Sequence, residues 1–193
     1  MKLARFMKYM LLTILMVINT SCQTEQIGET QLQLVRYSLK KTDLPGGWKF
    51  GGKDWSVDFG GESYSVLYEI DPLVFIGHTI AMYANDAQSQ EAYKEWEAKW
   101  FDVSMNVEPV ISYSPMDAED EWRYECLQTY PNDPILFCIY LQRHKEIVNF
   151  VRISSDSNNK NSLTSENVVN LLSILDQRLN EVIVEKVNTN SSP

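Results

Sequence analysis

The stretch that decides the fold is Trp122–Ile153, WRYECLQTYPNDPILFCIYLQRHKEIVNFVRI. Its middle, Tyr130-Pro131-Asn132-Asp133-Pro134, is a turn-forming cluster whose two prolines fix φ and cannot donate to a ladder. The flanks Trp122–Gln128 and Ile135–Gln142 are rich in aromatic and β-branched residues and are expected as strands. Folding the chain symmetrically about Asn132 sets Cys126 opposite Cys138 and Tyr124 opposite Tyr140. Opposed Cα atoms of an antiparallel pair lie about 4.5–5.5 Å apart, inside the roughly 4.4–6.8 Å that a disulfide spans. A third strand, Ile147–Ile153, follows the polar turn Arg143-His144-Lys145-Glu146, which completes a three-strand meander.

At 193 residues the chain is long enough for one domain with a proper core and short for two. Its 44% hydrophobic and 22% charged content are ordinary globular values. The formal charge is −9, and the first 21 residues carry Lys2, Arg5 and Lys8 with no acid, so −12 remains without them. A domain that acidic repels phosphate backbones and anionic lipid headgroups, which argues against nucleic acid as a partner. The three cysteines sort by position: Cys126 and Cys138 at hairpin spacing, Cys22 at the end of the N-terminal apolar run. Two reduced, buried cysteines are the alternative to a disulfide; an export signal in front favours the disulfide.

Met1–Lys8 is a basic n-region and Tyr9–Ile18 an apolar run interrupted only by Thr13. The run is too short to span a bilayer and matches the h-region of a secretory signal over residues 1–21. The four residues that follow, Asn19-Thr20-Ser21-Cys22, resemble the lipobox of exported bacterial lipoproteins. Thr20, Ser21 and Cys22 fit it, while Asn19 stands where that family has an aliphatic residue and Ile18 comes one place early. The resemblance implies lipidation of Cys22 and a domain held in the bilayer on the extracytoplasmic side. Ordinary cleavage and free secretion are the alternative. Residues 22–31 are polar enough for a tether, 32–187 are expected as the domain, and 188–193 as a disordered tail.

Leu32–Leu39 fits neither the helical nor the strand period cleanly and is expected as a short helix or a strand. Asp43-Leu44-Pro45-Gly46-Gly47-Trp48 is a turn ending in an aromatic that plugs the core. This D-L-P-x-G-W pattern, with its later order of strands, helix, cysteine hairpin and final helix, resembles small PsbP-like or kinase-sensor-like extracytoplasmic domains over Leu39 to Leu179. The resemblance implies an α+β fold and no catalytic residue. Glu62–Ile70 alternates as a half-buried strand, and Leu73–Ala84 is expected as one further strand or two. Asn85 and Gln88 mark the start of a helix that runs to about Phe101 and carries Tyr93, Trp96 and Trp100 along one stripe, expected as core packing. Thr164 caps a second helix with Glu166 in its first turn and Val168, Leu171, Leu172, Leu175 and Leu179 on its apolar face.

The motifs that could carry chemistry fall short. Gly47–Asp54 nearly spells a phosphate-binding loop, but Asp54 stands where a magnesium-binding hydroxyl is needed and no helix follows; a glycine-rich turn is expected. Asp54, Ser56, Asp58 and Glu62 have calcium-loop spacing, yet Phe59 and Ser65 occupy the glycine and glutamate positions. Asp117–Glu121 is expected to be a hydrated acidic loop. Of the two histidines, His144 is expected to be exposed in a turn and His78 half-buried at a strand start. Neither belongs to a zinc or nucleophile motif. No catalytic residue, metal or cofactor is assigned. The expected fold is α+β: an antiparallel sheet of about five to seven strands covered by two main helices, with one cross-strand disulfide. The expected role is a non-catalytic interaction or sensing module for an envelope protein or ligand. A small apolar-ligand carrier is the alternative, and a carboxylate-dependent hydrolase the least favoured.

Overall fold

The computed structural model describes residues 28–101, 113–115, 121–128, 135–156, 158–159 and 163–190. Its centre is a six-stranded antiparallel sheet in the order β1-β2-β3-β6-β5-β4. Strand β1 spans Lys49–Asp58, β2 Gly61–Asp71, β3 Val74–Met82, β4 Glu121–Gln128, β5 Ile135–His144 and β6 Ile147–Asp156. Helix α1 (Glu29–Tyr37) precedes the sheet, α2 (Asp86–Phe101) links its two halves, and α3 (Ser165–Asn190) follows it.

Each hairpin has a local cause. Asp58 pairs with Gly61 across the two-residue turn Phe59-Gly60, where both φ angles are positive, 48° and 85°. That is the requirement of a type I′ turn, whose twist matches the flanking strands. Between β2 and β3, the Asp71 carboxylate accepts the backbone N–H of Leu73 at 2.8 Å and of Val74 at 3.0 Å. The β4–β5 pair forms in the expected register, with Cys126 opposite Cys138 and Tyr124 opposite Tyr140. The two cysteines are disulfide-bonded, with Cα atoms 4.0 Å apart. The third strand of the meander also forms, but the turn is tighter than expected: β5 runs on to His144, leaving Lys145-Glu146 as the connection.

The period-2 alternation divides the sheet's side chains between two cores. On one face Tyr64, Tyr68, Ile76, Ile80, Val151 and Ile153 meet Leu34 and Tyr37 of α1 and the apolar stripe of α3, with Trp48 buried among them. On the other face Ala81, Leu141, Val148 and Phe150 meet Tyr93, Trp96 and Phe101 of α2. The helix starts follow capping chemistry. Asn85 Oδ1 accepts the N–H of Gln88 at 3.0 Å. Thr164 Oγ1 accepts the N–H of Asn167 at 3.2 Å, and Asn167 Oδ1 accepts the N–H of Thr164.

Three expectations need correction. Of the two forms expected for Leu32–Leu39 the chain takes the short helix, α1, but it starts at Glu29, inside the stretch read as a tether. It buries only Leu34 and Tyr37, so its other apolar residues blur the pattern. Lys49–Asp58 is a strand and not a glycine-rich turn or a solvated loop. As an edge strand it is exposed on nearly its whole length, and it shows none of the in–out alternation that marks a half-buried strand. Both histidines are buried: His78 lies mid-strand on β3 and His144 ends β5.

Candidate functional site

Helix α2 packs on β5 and β6 and leaves its face of the sheet open over β1, β2 and β3. There the strands form a groove of about 280 Å³ lined by Asp54, Ser65, Leu67, Gly77, Thr79 and Arg152. The Ser65 and Thr79 hydroxyls sit 2.8 Å apart on neighbouring strands. Gly77 keeps the floor bare: a Cβ there would lie 3.3 Å from Arg152 Nη2.

Arg152 projects from β6, with its guanidinium carbon 5.3 Å from the Trp100 ring centre and 5.9 Å from that of Phe150. Arg152 Nε and Trp100 Nε1 are both buried without a hydrogen-bond acceptor among the described residues. The other arginines around the core are matched to acids. Arg123 bridges Glu97 and Glu125, Arg143 bridges Asp86 and Glu121, and Arg178 holds Asp43. Burial lowers the pKa of Arg152 from its ordinary value, with no carboxylate opposing the shift. The side chain nevertheless stays a cation, because arginine does not deprotonate in proteins. A half-buried guanidinium held by ring faces and without a paired acid among the described residues is suited to a ligand carboxylate or phosphate, whose paired oxygens match its donor fork.

A second polar cluster lies on the opposite face and is sealed from solvent. The Leu39 N–H donates to His78 Nδ1 at 2.9 Å, and His78 Nε2 lies 2.6 Å from Asn149 Oδ1. Asn149 Nδ2 donates to Gln142 Oε1 at 3.3 Å, and Gln142 Nε2 to Asp176 Oδ1 at 2.8 Å. Nδ1 is an acceptor here, so the proton of neutral His78 sits on Nε2. Burial of the ring, the largest cause, pushes its pKa down to about 4, against the raising effect of Asn149. The cluster ties β3, β6, β5 and α3 to the chain after α1; with all four side chains buried, it cannot meet a substrate.

Other residues singled out in the sequence are dispersed. Asp54, Ser56 and Asp58 lie on β1 and Glu62 on β2, with Asp58 accepting hydrogen bonds from Ser56 and Ser63. Gly47–Asp54 contributes a turn and half of β1, so no helix N-terminus faces a phosphate there. In the aromatic stripe, Tyr93 and Trp96 are core, as expected, while Trp100 reaches Arg152. Cys22 and residues 117–120 lie outside the described residues, and Glu121 is paired with Arg143. Among the described residues no group of three or more His, Cys, Asp or Glu side chains is placed to hold a metal. Nor is any described helix long and apolar enough to cross a membrane. Arg152 itself was not singled out, because nothing local in Val151-Arg152-Ile153 tells a groove-lining arginine from a solvated one.

The fold and groove define an α+β domain built to present a sheet face. No family model matches the chain, and no curated protein matches it. Among solved structures it is similar to the extracellular domain of PknH from Mycobacterium tuberculosis, with a TM-score of 0.50 and 8% identity. The alignment covers 77% of this chain and 96% of that one, and at this identity the likeness is one of fold.

Proposed function

We propose that this chain is a lipid-anchored extracytoplasmic module that binds or senses an anionic partner and does not transform it. The Arg152 groove carries the proposal: a partly desolvated cation with no paired acid among the described residues costs stability unless a ligand supplies the charge. Export is supported by the basic and apolar N-terminal segment, the disulfide and the likeness to an extracellular domain. Anchoring is supported by Cys22 in its lipobox-like setting. An apolar carrier fits less well, since it needs an enclosed pocket of about 300–1,000 Å³; this groove is open, smaller and cationic. Hydrolysis by a carboxylate pair requires two acids, and among the described residues lining the groove Asp54 is the single one.

Native mass spectrometry of the mature chain from its host is expected to show a retained anionic molecule, which Arg152→Ala loses. Affinity for that molecule should fall about 10–100-fold, the usual worth of a hydrogen bond to a charged group. A chain that carries nothing and whose melting temperature ignores millimolar phosphate and acetate would contradict the proposal.

A further inference from the structure

The groove that holds Arg152 carries opposite charges at its two sides. Two rows of paired residues cross its floor. In one, Gly52 of β1 pairs with Leu67, Leu67 with Gly77, and Gly77 with Arg152. In the next, Asp54 of β1 pairs with Ser65, and Ser65 with Thr79. Paired residues share a face of the sheet, so Asp54 stands on the same face as Arg152, across the groove from it. Lys53 is turned the other way, since its partner Val66 belongs to the opposite core.

The two charges do not meet. Arg152 leans back over Gly77, on β3, and Asp54 lies two strands and two residues from Gly77, about 12 Å between Cα atoms. Asp54 is exposed and takes no hydrogen bond or ion pair among the described residues. A hydrogen bond of about 3 Å at each end, with the reach of the Asp54 side chain, leaves about 3–6 Å for a ligand's own separation of charge. The Ser65 and Thr79 hydroxyls lie between. One donates to the other, so the pair keeps one proton to give and lone pairs to accept, and it can serve either end of a dipolar molecule.

We propose that the groove takes a zwitterion, a small amino acid whose carboxylate meets Arg152 and whose ammonium meets Asp54. This rests on the reading of Arg152 as the anchor of an anionic group, and it adds the charge at the ligand's other end. Charge complementarity carries it. A ligand that is anionic throughout would turn its far end toward Asp54 and be repelled, whereas an ammonium there finds a counter-ion. The floor has room for such a molecule: a Cβ at Gly52 would meet nothing within 4 Å, and Gly77 has no side chain either. Leu67, between the two glycines, offers an apolar contact to the ligand's methylene carbons.

The test uses the mature chain, dialysed free of small molecules. It is titrated with glycine, 3-aminopropionate and 4-aminobutyrate, and with acetate, propionate and butyrate, which match them but lack the amine. Shifts of the backbone amide resonances give each Kd. At least one amino acid is expected to bind about fivefold more tightly than its matching acid, the upper worth of an ion pair at an exposed carboxylate. Asp54→Asn, which keeps the shape of an exposed side chain, should lose that preference and leave the acids bound as before or more tightly. Arg152→Ala should lose both series. If wild type binds each acid as tightly as its amino acid, or if the preference survives Asp54→Asn, the zwitterion is overturned and the anion site stands. Inorganic phosphate bound more tightly than every amino acid overturns it in favour of a phosphate ligand. No binding of any of these compounds removes the anion site as well.

Discussion

His78 links the stability of the fold to acidity. In the folded chain its Nδ1 faces the Leu39 N–H, a donor, so adding a proton there sets two donors against each other in a dry core. The folded pKa near 4 lies below the ordinary value of 6.5, so the unfolded chain binds more protons between those two. This contribution to stability is therefore complete above about pH 6.5 and is lost as pH falls towards 4, up to about 3 kcal/mol. Urea unfolding from pH 7 to pH 4 should show that slope, and His78→Gln should remove it. An unchanged slope in the variant would mean that carboxylates alone set the acid sensitivity. Sequence marked His78 as half-buried at a strand start; that it is fully buried and bonded to the Leu39 N–H, thirty-nine residues away, is not a local property. Arg152 was hidden for a similar reason: its setting over Trp100 and Phe150, with no paired acid among the described residues, comes from β6 and α2 together.

At the scale of elements, the β4–β5 hairpin was legible because its information is local. Prolines, asparagine and two evenly placed cysteines set the register without help from the rest of the chain. The terminal helix was legible for the same reason, through its cap and its single apolar stripe. β1 was not, since an edge strand buries too little to imprint an alternation, and its positive-φ turn uses Phe59 where glycine or asparagine would have signalled it. The difference has an energetic counterpart in β4, the opposite edge, which is hydrogen-bonded to β5 alone. The Cys126–Cys138 bond closes that hairpin, and its loss should cost about 2–5 kcal/mol. Denaturant midpoints with and without reduction measure this directly; equal midpoints would show that the sheet holds β4 unaided.

At the scale of the molecule, the sheet divides the work. One face is closed by α1, α3 and the His78 cluster; the other is half closed by α2 and offers the Arg152 groove. Composition showed the acidic character of the whole, while the exposed apolar side chains of β1, Phe50, Trp55 and Val57, emerged only once β1 was seen as an edge strand. The proposed function places its weight on Cys22, because lipidation there would hold the Arg152 groove at the cell envelope. Intact mass spectrometry of the chain extracted from its host's membranes is the most direct test. The account expects a chain beginning at Cys22 and carrying the added mass of a diacylglyceryl group, with Cys22→Ala moving to the aqueous phase of a detergent partition. A chain that begins elsewhere, carries no lipid and partitions into water before any mutation would contradict it.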